Sequence, residues 1–313
     1  MKSSYHDVYH RLEHDDSIRL LRLHGDQVST DSVHCTLEIH RTRDPCLPIF
    51  EALSYTWADK DGDNSLCEPI YVGPQYEVVL ITKNCLGALK TFRTRYDRLL
   101  WVDAICINQD DQAERGSQVA LMPYIFSCAS RVLMYLGNED IGAQAMAVLA
   151  GTSARRASSL QFLLGNSYFT RTWMVQEVNL AKVATLTLGR HTLHWDAFKT
   201  LAQLSDHRDE TWPRTTWVES DASYSPYARS TLLGYLYSIR NCRCGDPRDQ
   251  VYAVLGLAKH ERKLLTIDYS VSVQQVYTGL ALFWLARCEF EFLDVIGLPK
   301  TVPHLPSWVP DWT

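Results

Sequence analysis

Residues 99–107, reading Leu-Leu-Trp-Val-Asp-Ala-Ile-Cys-Ile, constrain the fold of this chain more than any other stretch, because they are apolar on both faces. A strand with one wet side alternates; a run that does not alternate needs cover on both sides. Central strands of parallel sheets, sandwiched between layers of helices, have that cover. One acid, Asp103, interrupts the run. We read 99–107 as a central parallel strand and expect Asp103 near its carboxyl end, where open α/β sheets bind ligands.

The flanking segments fit the same architecture. Residues 18–24 and 33–40 read as strands, and Val33, Cys35, Leu37 and Ile39 alternate with polar neighbours in a half-buried edge pattern. Residues 50–57 form a further strand, and 70–81 a hairpin turning at Gly73-Pro74. A helix follows over Lys83–Arg95. Asp111, with Glu114 three positions later, caps a helix whose stripe is Val119, Met122, Ile125, Phe126 and Ala129. Pro123 should kink that helix or shift its start. A strand at 131–137, a helix at 173–182, a strand at 183–189 that turns back as a hairpin, and a helix at 195–205 complete the core. Strand and helix alternate, which argues for an α/β class with a parallel sheet flanked by helices.

Elsewhere the pattern is looser. The insertion 138–167 is expected to hold a short apolar helix at 143–150 and an exposed Ser/Arg-rich loop at 152–159. Residues 206–228 read as a polar loop with two tryptophans, and 229–240 and 273–287 as amphipathic helices. The closing Leu-Pro-Ser-Trp-Val-Pro-Asp-Trp is too apolar for a free tail and should fold back on the body. The expected organisation is one domain over 1–313, with an α/β core with N-terminal strands at 18–200 and a mostly helical extension at 201–313. The abrupt end suggests the N-terminal part of a longer protein.

Composition excludes several function classes. With 31 Lys and Arg against 36 Asp and Glu there is no basic excess, so a nucleic-acid backbone has no electrostatic footprint here. Nine cysteines without framework spacing indicate reduced thiols in an intracellular compartment. Cys242 and Cys244 form a lone C-x-C without the second pair a zinc site needs. The charged N-terminus has no apolar signal-peptide core. The apolar run at 280–286 falls far short of the roughly 20 residues of a membrane span, so no segment is expected to span a bilayer. Neither Gly-rich phosphate-loop pattern occurs.

Glu177 is the most telling single residue. At about 100° per residue, Trp173, Met174, Val178, Leu180 and Ala181 share one arc, and Glu177 falls about 40° from Trp173, inside that stripe. Thr172, Gln176, Asn179 and Lys182 take the outer arc. An acid directed inward must pair, stay protonated, or line a cavity that a ligand fills. Arg171 or Arg115 would supply the cation for a buried ion pair.

Four blocks carry a family resemblance: EALSYTW (51–57), LLWVDAICINQDDQAER (99–115), RTWMVQE (171–177) and NCRCGDPRDQVYAVLGL (241–257). Together they resemble the fungal heterokaryon incompatibility (HET) domain, from about Ile18 to the closing SWVPDW. Ala58 departs from the pattern, where the family commonly has Gly, and so does Pro123. The resemblance implies a cytoplasmic cell-death effector of non-self recognition, triggered by an upstream sensor. The family looks distantly similar to TIR domains, several of which cleave NAD, so the implied sheet is flavodoxin-like or TIR-like. In TIR-type enzymes a catalytic Glu lies four residues after a Trp, and Trp173 and Glu177 reproduce that spacing. By this resemblance the chain is an NAD hydrolase active as a homo-oligomer, with NAD as substrate and no cofactor; the alternatives are a non-catalytic signalling module or a hydrolase of another nucleotide.

In that reading Glu177 is the catalytic carboxylate. Breaking the ribose–nicotinamide bond expels a neutral ring and leaves an oxocarbenium-like centre, which a nearby carboxylate stabilises. Tyr55, Trp57, Asp103, Asn108, Arg171 and Trp173 are the candidate substrate-binding residues. Tyr55 and Trp57 would stack on a ring or are core aromatics. Asp103 and Asn108, with Gln109, would meet ribose or amide groups or satisfy local turns. Arg171 would hold Glu177 ionised or meet a phosphate. Cys106 reads as a structural thiol, and Arg248 with Asp249 as an ion pair or helix start.

Overall fold

The computed structural model describes residues 8–25, 32–137, 142, 145–147, 149, 156–204, 231–296 and 300–313. The expected loop at 206–228 and half of the expected helix at 143–150 lie outside the described residues. The chain divides into two compact units, Met1–Phe169 with Leu180–Pro213, and Thr170–Asn179 with Arg214–Thr313.

The first unit is built on one nine-stranded mixed sheet. Its strands are β1 (Ser17–Leu23), β2 (His34–Arg41), β3 (Glu51–Tyr55), β4 (Glu68–Val72), β5 (Glu77–Ile81), β6 (Arg98–Trp101), β7 (Arg131–Tyr135), β8 (Ala184–Leu188) and β9 (His191–His194). They lie in the order β5-β4-β2-β1-β6-β3-β7-β8-β9. β6, β3, β7 and β8 are mutually parallel. In chain order these four run second, first, third, fourth, the order of a flavodoxin-like sheet. Residues 52–55, 132–135 and 184–188 are buried without alternation, as strands covered on both faces must be. β1 adds antiparallel neighbours on one side and β9 on the other.

Local chemistry explains the helices. Thr82 caps α1 (Lys83–Phe92) by accepting from the Cys85 amide, and Cys85, Ala88, Leu89 and Phe92 form its buried face at helical spacing. Asp111 caps α3 (Gln112–Cys128) by accepting from the Ala113 and Glu114 amides. That helix starts where the sequence places it and runs on through Pro123. The hairpin β4–β5 turns at Gly73, whose φ of 74° suits glycine.

Four expectations are corrected. The apolar run 99–107 is not one strand: β6 ends at Trp101, and Asp103–Cys106 form a short helix, α2. β6 has ladder partners on β1 only to Leu100 and on β3 only to Trp101, so the chain beyond turns inward, with the Ile105 and Cys106 amides donating to the Val102 carbonyl. β2 is not an edge strand, since β1 and β4 flank it; the edges are β5 and β9. The exposed loop ends earlier than expected, because Arg156–Leu164 is helical (α4), with Ser159, Leu160, Leu163 and Leu164 buried. Residues 152–155 of that expected loop lie outside the described residues.

The fourth correction lies in the second unit. Its helices are α5 (Thr172–Asn179), α7 (Leu232–Ser238), α8 (Asp249–Leu255) and α9 (Val273–Ala286), while α6 (Trp195–Leu204) belongs to the first unit. On α5 the arc read as outward is only partly so: Asn179 is exposed, but Thr172 is buried fully and Gln176 to 1% exposure. Thr172 donates to the Gln250 side chain on α8, and the amide of Thr172 donates to the Arg243 carbonyl. The C-terminal segment does fold back: Val309, Asp311 and Trp312 are buried, and Trp312 packs edge-on against Trp284 of α9.

Candidate functional site

The named residues fall into two groups, one in each unit. The first group surrounds the carboxyl ends of the parallel strands. Tyr55 ends β3 and Tyr135 ends the adjacent β7, and from these two strands the chain departs in opposite directions across the sheet, to β6 and to β8. Such a switch point is where open α/β sheets take ligands. Tyr55 itself is 1% exposed and sits in the core. Trp57, two residues on, is half-buried and donates from Nε1 to Asp103 Oδ2 at 2.9 Å.

Asp103 therefore stands just past the carboxyl end of its strand, at the first residue of α2. Its other oxygen accepts from the Ala104 amide at 2.8 Å, and its carbonyl accepts from the Gln109 side chain at 2.9 Å. Asn108 serves its turn: the side-chain oxygen accepts from the Asp110 amide. Gln109, Asn108, Asp103 and Trp57 are all half-buried, so this edge of the sheet offers polar atoms that remain within reach of solvent. Cys106 is fully buried, and burial pushes its thiol up to about 12, which removes it as a nucleophile at neutral pH.

The second group centres on α5. Glu177 is enclosed, with its side chain 4% exposed, and Arg171 stands beside it: Nη2 lies 3.6 Å from Oε1, with the Arg171 side chain 19% exposed. That separation exceeds a good hydrogen bond, which for N–H···O closes to about 3 Å. Beside it, Gln176 is buried with neither amide atom hydrogen-bonded among the described residues. Buried amides without partners are rare in folded proteins and ask for an explanation.

Trp173 is tied down rather than free. Its Nε1 donates to Asp249 Oδ2 at 3.0 Å, while Tyr269 donates to Asp249 Oδ1 at 2.5 Å. Asp249 is thus a bridging acceptor and not the partner of Arg248, which pairs with Asp246 at 2.6 Å and donates to the carbonyls of Tyr269 and Val271. Of the two readings from the sequence, ion pair or helix start, the second holds: Asp249 starts α8 and turns its carboxylate to α5, while Asp246, two residues before Arg248, meets the guanidinium. Cys242 and Cys244 are both pushed up to about 12, first by burial.

Sequence reasoning did not reach the Trp173–Asp249–Tyr269 bridge or the Thr172–Gln250 bond. Both halves of the first lie in motif blocks, but 76 positions separate them, and no periodicity encodes such a pairing. It also missed Arg19, which is 1% exposed and pairs with Glu114 at 2.6 Å. The signal there was an arginine inside the apolar run of β1.

Residues 50–177 match the family model described as heterokaryon incompatibility protein (HET). The chain is 30% identical over 396 residues to heterokaryon incompatibility protein 6, OR allele, of Neurospora crassa, an alignment covering 94% of this chain and 57% of that protein. The chain thus spans little more than half the length of that relative. No solved structure matches it. Among the described residues no helix is long and apolar enough to cross a membrane.

Proposed function

The chain belongs to the heterokaryon incompatibility family through residues 50–177, and from that premise we propose that it is an effector of fungal non-self recognition that hydrolyses NAD when it self-associates. Glu177 is the carboxylate in this reading. Departure of neutral nicotinamide leaves positive charge on the ribose, the carboxylate stabilises that charge, and water closes the reaction to ADP-ribose and a proton. Trp57, Asp103 and Asn108, at the carboxyl edge of the first unit's sheet, are proposed as nucleotide-binding groups, as are Arg171 and Trp173 in the second unit, while Tyr55 is the core aromatic at the end of β3.

One observation carries the proposal. On a single turn of α5 a carboxylate and a carboxamide are both enclosed, Glu177 with its guanidinium at 3.6 Å and Gln176 with no hydrogen bond among the described residues. A helix built only to pack would carry apolar groups at such positions. The activity test is direct: concentrated wild-type protein incubated with NAD releases free nicotinamide, Glu177→Gln does not, and dilution lowers the rate per molecule. Equal background release from both proteins overturns the enzymatic reading. Faster turnover of another nucleotide reassigns the substrate.

A second reading has one observation in its favour. With 4% of the Glu177 side chain exposed and Arg171 beside it, the residue suits an internal ion pair in a non-catalytic recognition module. In that case Glu177→Gln retains the incompatibility response in cells, and no nicotinamide appears.

A further inference from the structure

We propose that the second unit holds a separate binding site for a small organic cation, an amine or amidine on a flat apolar body, in a cavity between α7, α9 and the turn after α9. The cavity has a volume of about 400 Å³, within the range of small-molecule sites. Its floor is aromatic, with half-buried Phe283 as the ring open to a ligand, while Trp284 and Phe292, stacked with ring centroids 5.4 Å apart and planes 24° apart, are 3% and 0% exposed. Leu233 and Leu264 extend the apolar wall, the latter 61% exposed at the rim.

The charge of the lining selects the ligand. Glu261, Glu289 and Glu291 line the cavity against a single guanidinium, Arg287. Arg287 is already engaged: it donates to Glu289 at 2.7 Å and lies over the Phe283 ring at 5.4 Å. This pair displays the recognition the lining offers, a delocalised cation against an aromatic face with a carboxylate beside it. Glu261 and Glu291 have no cationic partner among the described residues; one Glu261 oxygen accepts from the Leu232 amide at the start of α7. Two carboxylates at the rim of an aromatic floor repel anions and give a neutral ligand nothing to discharge. A bare metal ion does not suit the lining either, since no metal-binding group of His, Cys, Asp and Glu occurs among the described residues.

Benzamidine is a suitable probe, with benzamide as its neutral isostere and benzoate as its anionic one. Calorimetry on the full 313-residue chain should show saturable benzamidine binding at least tenfold tighter than either isostere, weakened by added salt. Glu291→Gln, at an exposed position outside any helix cap, should weaken it at least threefold; Glu261→Gln should do the same, with circular dichroism checking that α7 survives loss of its contact. Leu264→Asp, which brings another acid to the rim, should leave binding equal or tighter. Equal affinity for benzamide, absence of saturable binding, or an unchanged affinity in the Glu261→Gln/Glu291→Gln double variant each overturns the proposal.

Discussion

Two guanidinium–carboxylate pairs among the described residues, one in each unit, each hold a nearly buried side chain and are built differently. In the first unit Arg19 meets Glu114 in a fork, at 2.6 and 3.0 Å, and also donates to the carbonyls of His10 and Cys106, with the Tyr9 ring 5.1 Å away. In the second unit Arg171 approaches Glu177 only to 3.6 Å. A bidentate pair with further acceptors has spent its polar capacity on holding the fold together. The looser pair has not closed to hydrogen-bond length. Buried charge alone therefore does not mark a site; the two pairs differ in how closely guanidinium and carboxylate approach.

The largest effect expected is on the tight pair. Arg19→Met should destabilise the protein by about 3–5 kcal/mol, because it leaves Glu114 enclosed without its cation, and urea denaturation reads this as a lower midpoint. A shift below about 1 kcal/mol would break the comparison, since the closed pair would then hold no more than a surface contact. Next comes Glu177→Gln. We expect nicotinamide release to fall at least a hundredfold, about 2.7 kcal/mol in barrier, while the unfolding midpoint moves less than for Arg19→Met. The reverse order of stability effects would make Glu177 the structural residue.

A smaller effect sharpens the second unit. Asp249→Asn removes the charged acceptor shared by Trp173 and Tyr269 and should cost about 2 kcal/mol, visible as faster amide exchange in α5 and α8. Trp57→Phe removes the Asp103 contact and should cost about 1 kcal/mol. If it also weakens NAD binding, the carboxyl edge of the sheet gains a direct role.

The smallest effect is acid release of the C-terminal segment. Burial of Asp311 works to raise its pKa, yet hydrogen bonds from Thr313, Val302 and Thr301 outweigh it and hold the carboxyl below its ordinary value of 3.8. A depressed folded pKa means stability that is present above the ordinary value and lost as pH falls through the folded one. Trp312 fluorescence should therefore change below about pH 4, and Asp311→Asn should abolish that titration.

Much of the fold was legible because burial has a period. Strand-like stretches alternating with helical ones announced β3, β7 and β8, and the cap at Asp111 with its apolar stripe announced α3. The enclosure of Glu177 was legible for the same reason. What failed was wherever length or neighbours decide. The run 99–107 looks like nine strand residues, yet only three, Leu99, Leu100 and Trp101, have ladder partners. The wheel of 172–179 shows a polar face, yet α8 supplies hydrogen bonds that let Thr172 go inside.

The sequence by itself determined most of the sheet strands and the capped helix α3, that an α/β sheet needs cover on both faces, and that one acid must leave solvent, because these follow from spacing along the chain. Only the tertiary structure decided which cation meets which acid, where β6 stops, and that Trp173 answers to an aspartate 76 positions away. The physical reason is that hydrophobic burial is read one residue at a time, whereas hydrogen bonds and ion pairs are directional and join atoms that chain spacing leaves far apart.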